Sequence, residues 1–192
     1  MPSGRLCALL LAIALPGTIC AQTALVPPAD LNVNFVGSWT GQLEYRDYAS
    51  NDRVLLPTWL KITETPDHHS LVFSYLYDDG PTKVVRESVT LTLDPAHQTV
   101  TSVANDAKSL SGVTNTVYSA TGFQEFAKTG RGVLHLTGAA TENGKPVDVR
   151  ITLTLRRNLY TYRKETRPSS SNAEFQFRDG YVFTRSEPPA VP

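Results

Sequence analysis

The chain has 192 residues, 41% of them hydrophobic, and its 18 Lys plus Arg are balanced by 18 Asp plus Glu. That length fits one domain with a proper core, and the apolar content does not call for membrane spans. The neutral balance removes the overall field that would steer a protein to nucleic acid or to an anionic bilayer.

Arg5 gives a short positive start, and the apolar run from Leu6 to Leu15 is too short to cross a bilayer as a helix, which together read as a secretory leader. Pro16 and Gly17 break the run. Cleavage is expected after Ala21, leaving a leader at 1–21; the rival is lipid attachment at Cys20, against which the bulky Ile19 stands. Cys7 and Cys20 are the only cysteines, so the mature chain has no disulfide even though an exported chain reaches a periplasmic or extracellular setting that permits them. Its stability must come from packing and strand pairing.

Residues 22–34, with the pair Pro27-Pro28 and no periodicity, read as an extended lead-in. From Phe35 the apolar period becomes two. Phe35, Gly37, Trp39, Gly41, Leu43 and Tyr45 share one face of a first strand. Val54, Leu56, Leu60 and Ile62 mark a second, and Leu71, Phe73, Tyr75 and Tyr77 mark a third that ends at Asp78-Asp79-Gly80-Pro81. Val85, Val89, Leu91 and Leu93 alternate with polar residues up to Asp94-Pro95, after which Thr99 to Val103 pairs back.

Between 105 and 130 the pattern is less regular: Thr116 to Thr121 suits a strand, and Gly122 to Lys128 suits either a turn or one turn of helix. Val133 to Ala140 then faces Val147 to Leu155 across Asn143-Gly144, a strong hairpin signal. Leu159 to Thr166 follows a tight reversal, and Phe175, Phe177, Tyr181 and Phe183 define a last strand. The tail at 187–192 carries three prolines, which cannot continue a ladder because they lack the amide donor, and it is expected to be disordered.

Roughly eight to ten short strands with little or no helix predict an all-β antiparallel meander, which removes its exposed edges by closing into a barrel over residues 35–186. Gly37-Ser38-Trp39 at the start of the first strand resembles the Gly-x-Trp signature of lipocalins and related calycin barrels. Tyr181-Val182-Phe183-Thr184-Arg185 resembles the late strand whose arginine packs over that tryptophan. Avidin-like and nitrobindin-like barrels start with a similar strand. The resemblance implies a cup for one small apolar molecule and assigns Trp39 and Arg185 to structural closure by a cation–π contact.

Tyr45, Phe73, Tyr75, Tyr77 and Phe177 lie on the more apolar phase of their strands, where ring faces and occasional hydroxyls suit a flat hydrophobic ligand. Equally, these rings can fill the barrel as ordinary core. Chemistry is sparse elsewhere. His68-His69 with Glu64 and Asp67 surround one loop tip and read as a solvated turn, because a zinc site needs three or four converging ligands. No nucleophile elbow, HExxH pair, phosphate-binding glycine loop or CxxC occurs, so neither an enzyme nor a cofactor is expected.

Arg150, Arg156, Arg157, Arg163, Lys164 and Arg167 form a basic stripe along two neighbouring strands. It reads as an outward polar face, or as a surface through which Arg156, Arg163 and Arg167 contact an anionic envelope component. Two readings therefore stand: an exported carrier with an apolar lumen, and a non-catalytic envelope module with a filled one.

Overall fold

A computed structural model of the chain describes residues 31–47, 49–105 and 113–186. Ten strands follow one another as antiparallel neighbours: β1 (Gly37–Arg46), β2 (Arg53–Glu64), β3 (Leu71–Asp78), β4 (Val84–Asp94), β5 (Thr99–Asn105), β6 (Val113–Thr121), β7 (Gly132–Glu142), β8 (Lys145–Leu155), β9 (Leu159–Pro168) and β10 (Gln176–Arg185). The last pairs back onto the first, Trp39 opposite Arg185 and Tyr45 opposite Asp179, and the barrel is closed. The expected all-β antiparallel barrel is thus the fold, and a short helix, α1 (Phe123–Thr129), follows β6 in the chain and packs against β7. The expected leader, the lead-in up to residue 30 and the tail at 187–192 lie outside the described residues.

Local chemistry explains the turns and the strand phases. The β7–β8 hairpin turns on Asn143 and Gly144, whose φ values of 51° and 73° are the paired positive angles that a two-residue turn needs to match strand twist. In β8, Val147, Val149, Ile151, Leu153 and Leu155 are all buried, and Arg150 between them is exposed. Pro57 stands within β2, where it cannot donate to a ladder. One residue on, the buried Thr58 hydroxyl accepts from the Leu43 amide at 3.2 Å and donates to the Leu56 carbonyl at 2.9 Å.

One end of the barrel is packed solid. Phe35, Trp39, Phe73, Phe126, Tyr160 and Phe183 are each at most 1% exposed, and their rings meet at centroid separations between 5.9 and 6.3 Å. The sequence reading of residues 31–34 as extended chain is corrected here. Leu31 and Asn32 are helical, lead into a turn over 33–35 and are buried, because Leu31 and Phe35 supply apolar surface that plugs this end. The Asn32 amide also ties the turn to the β2–β3 loop by donating to the His68 carbonyl at 3.3 Å.

The segment from Gly122 to Lys128, open between turn and helix in the sequence, is helical from Phe123 to Thr129. Gly122 and Gly130 bracket it in left-handed conformations, and Phe123 and Phe126, three residues apart, bury the same face. Next to it β6 and β7 pair over only Ser119–Thr121 and His135–Thr137, the shortest seam in the barrel. Among the described residues, no helix is long and apolar enough to cross a membrane.

Candidate ligand-binding site

Trp39 and Arg185 lie opposite one another at the solid end. The Arg185 guanidinium stacks 4.1 Å from the Trp39 ring centroid, and its nitrogens donate to the carbonyls of Arg157, Val36 and Asn34 at 3.1, 2.8 and 2.8 Å. The indole Nε1–H donates to the Phe35 carbonyl at 3.0 Å. One side chain thereby satisfies backbone acceptors from the segment before β1 and from the β8–β9 turn, a fixed closure of this end of the lumen.

Above this plug the rings of β3 reach across the lumen to β10. Tyr75 stacks on Tyr77 at 5.8 Å and on Tyr181 at 5.2 Å, and Tyr181 stacks on Phe183 at 5.5 Å. β3 and β10 are separated by two strands in the sheet order, so these contacts cross the barrel and form a floor at mid-height. The Tyr77 hydroxyl bonds the Tyr181 hydroxyl at 2.9 Å and donates to Glu87 at 3.1 Å. Burial pushes the phenols of Tyr75, Tyr77 and Tyr181 well above their ordinary range, so they stay neutral donors at any ordinary pH.

On the far side of the floor lies an open cup of about 310 Å³, lined by Leu43, Tyr45, Leu56 and Val85 on the walls, Tyr77 and Tyr181 beneath, and Glu87, Arg178 and Asp179 as its charged groups. Its size is at the lower limit for small-molecule sites. Beside it, Glu142 takes Lys164 at 2.7 Å and faces Arg178 at 3.9 Å, with all three side chains largely shielded from water. Asp179 is pushed up to about 6, mainly by burial and further by Glu142 and Glu87, against the opposing pull of Lys164 and Arg178.

The five aromatic side chains singled out in the sequence therefore separate. Tyr45 and Tyr77 line the cup, Tyr75 supports its floor, and Phe73 is buried in the plug at 0% exposure. Phe177 is a correction: it sits on the outer wall beneath the Arg163 guanidinium, 4.9 Å from the ring centroid. The cause is a bulge in β10, where the partner of Glu165 is Phe177 but the partner of Lys164 is Asp179. The extra residue, Arg178, reverses the phase, so the inward row of Tyr181 and Phe183 continues at Asp179 and not at Phe177.

Sequence reasoning missed Glu87, Glu142, Lys164, Arg178, Asp179 and Tyr181. Glu87 did carry a signal, as a charge within the otherwise apolar row Val85, Val89, Leu91 and Leu93, and so did Lys164 in the row that begins Tyr160 and Tyr162.

The basic stripe also divides. On the outer wall Arg150 and Arg163 share Glu165 at 2.9 and 3.1 Å, and Arg167 reaches Asp148 at 3.0 Å; Arg150 and Arg167 both stack on Phe175 at 4.6 Å. Lys164 turns inward to Glu142, while Arg156 and Arg157 lie at the plugged end. At the tip of the β2–β3 loop the exposed His68 bonds Glu64 at 2.7 Å, and no group of three or more His, Cys, Asp or Glu is placed to hold a metal among the described residues.

A ten-stranded closed antiparallel barrel with one plugged and one open end is an architecture consistent with the calycin-like barrels. No protein-family model matches the chain, and no curated protein matches it. Among solved structures it is similar to the crystal structure of Rv2717c from M. tuberculosis, with 14% sequence identity, a TM-score of 0.50, and coverage of 84% of this chain and 99% of that one. That likeness is one of fold.

Proposed function

We propose that the protein is an exported, lipocalin-like carrier that holds one small molecule, with an apolar or aromatic body, in the open cup without converting it. The observation that carries this reading is the division of the lumen. The floor of Tyr75, Tyr77 and Tyr181 closes off the plug, and above it apolar walls and a few convergent polar groups leave about 310 Å³ open. Leu43, Leu56 and Val85 suit an apolar body, Tyr45 and Tyr77 offer ring faces, and Glu87 and Asp179 suit a hydrogen-bond donor on the ligand. Export rests on Arg5 and the Leu6 to Leu15 run.

The test is binding of Nile red to the protein and to Val85→Trp, whose indole would occupy the cup from a half-buried wall position. Saturable binding that weakens at least tenfold in the variant, with melting temperature and β-type spectrum retained, is the expected result. Binding that is absent, or indifferent to Val85→Trp, overturns it and leaves the filled-barrel envelope module, which the solid packing of Phe35, Phe73, Phe126, Tyr160 and Phe183 favours.

A further inference from the structure

On the outer wall Arg53, Arg150, Arg163 and Arg167 are each paired with a carboxylate. The arginines of the plugged end are not: among the described residues Arg131, Arg156 and Arg157 make no ion pair, and all three are exposed. They converge with Val33, Asn34, Asn158 and Arg185 on one cleft of about 400 Å³, at the opposite end of the barrel from the cup. Glu125 lines an adjoining cleft with the same three arginines, without an ion pair to any of them.

The backbone that presents these side chains is pinned. The Arg131 amide donates to the Thr129 hydroxyl at 3.2 Å, and that hydroxyl donates to the Arg131 carbonyl at 2.6 Å. The Arg156 amide donates to the Leu159 carbonyl at 2.8 Å, and the Arg185 amide donates to the Asn158 carbonyl at 3.3 Å, which fixes the β8–β9 turn to the end of β10. Arg185 itself is held in place by three carbonyls and by Trp39, so it contributes charge to the cleft from a fixed position. Burial and the neighbouring Arg131 both lower its proton affinity, as expected where like charges share a cleft without a counter-charge.

We infer that this cleft binds a phosphate-bearing ligand, with Arg131, Arg156 and Arg157 as its clamps and the Asn34 and Asn158 side chains as neutral partners. Guanidinium groups present paired, coplanar donors that match the oxygens of a phosphate, and three of them from two connections, Arg131 before β7 and Arg156 and Arg157 in the β8–β9 turn, surround a multiply charged anion better than a single carboxylate. Binding replaces mutual repulsion among the three cations by attraction to a shared partner, and it does not depend on what the lumen holds.

Two sources of that chemistry are a soluble phosphate compound and a phospholipid headgroup, so the experiment has two arms. The mature protein is titrated with inorganic pyrophosphate by calorimetry, and it is floated with vesicles of phosphatidylglycerol or of phosphatidylcholine. Arg131→Ala/Arg156→Ala/Arg157→Ala is compared with Arg53→Ala/Lys61→Ala/Arg86→Ala, which removes the same charge from exposed sites elsewhere. The expected result is saturable binding that weakens at least tenfold in the first variant and stays within twofold in the second. Response to pyrophosphate identifies a soluble ligand, and response to phosphatidylglycerol vesicles alone identifies a headgroup. The single reversal Arg156→Glu reports the same loss should the triple variant fold poorly. Binding in neither arm, or equal loss in both triple variants, overturns the site.

Discussion

Asp179→Asn should make the protein more stable at neutral pH. The carboxyl is pushed from an ordinary 3.8 to about 6, and burial is the largest cause. Because the folded form holds its proton more tightly than the unfolded chain, stability from this group is fully present below the unfolded value and is lost as pH rises through about 6. At about 1.36 kcal/mol per pH unit, the gap corresponds to about 3 kcal/mol of stability missing at pH 7.5 and present near pH 4. The pull of Lys164 and Arg178 and the push of Glu142 and Glu87 are already contained in that net rise. Asparagine keeps the shape and cannot ionise. Urea unfolding should therefore show the variant up to about 3 kcal/mol more stable than the parent at pH 7.5, a rise in melting temperature of about 6 to 12 °C for a domain of this size, with near parity at pH 4. A variant that loses stability at pH 7.5 would show that the ionised carboxylate supports the fold, and the reasoning would fail.

Two further outcomes follow from the closed end and the β1–β10 seam. Trp39→Ala should cost about 3–5 kcal/mol by urea midpoint, since it removes a fully buried ring, the bond to the Phe35 carbonyl and the stacking surface of Arg185. Gly41→Ala should sharply reduce soluble yield and melting temperature, because a Cβ there would lie 2.0 Å from the Val182 carbonyl oxygen and 2.8 Å from the Phe183 Cα, and only separation of the two strands relieves that overlap.

What was legible in the sequence was whatever local alternation records. Val147 to Leu155 reads as a one-sided strand and is one, and Asn143-Gly144 reads as a tight turn and makes one. The juxtaposition of Trp39 and Arg185 follows from the resemblance of two short segments, since alternation alone says nothing about which strands meet. Alternation also fails wherever the backbone inserts a residue. At Arg178 the bulge moved Phe177 to the outer wall and aimed Asp179 inward, and nothing in the composition of β10 marks that point. The helix was hidden because seven residues span too few turns to establish a 3.6-residue period, although Gly122, Gly130 and the spacing of Phe123 and Phe126 encode it. The charged side of the cup was hidden for a different reason. Glu87, Glu142, Lys164 and Asp179 come from β4, β7, β9 and β10, so only closure of the barrel brings them near one another.

The contrast between the two ends constrains what those charges are for. At the plugged end each buried aromatic contributes about 1.5–3 kcal/mol relative to exposure, and each polar atom of Arg185 and Trp39 that could be left unpaired finds a carbonyl. If the whole lumen served stability, the same solution would fill the upper half, since well-packed apolar residues in place of shielded ion pairs are often neutral or stabilising. Instead Glu142, Lys164 and Arg178 stand partly desolvated beside the cup, and Asp179 is held at an unfavourable pKa. Such departures from a stable pattern concentrate where function requires them. A ligand that donates to Asp179 would recover part of the cost, stabilising the ionised form and drawing its pKa back down toward the ordinary range. The stabilisation predicted for Asp179→Asn should accordingly come with weaker retention of a ligand of that kind, and a variant that gains stability while binding it undiminished would place the recognition elsewhere in the cup.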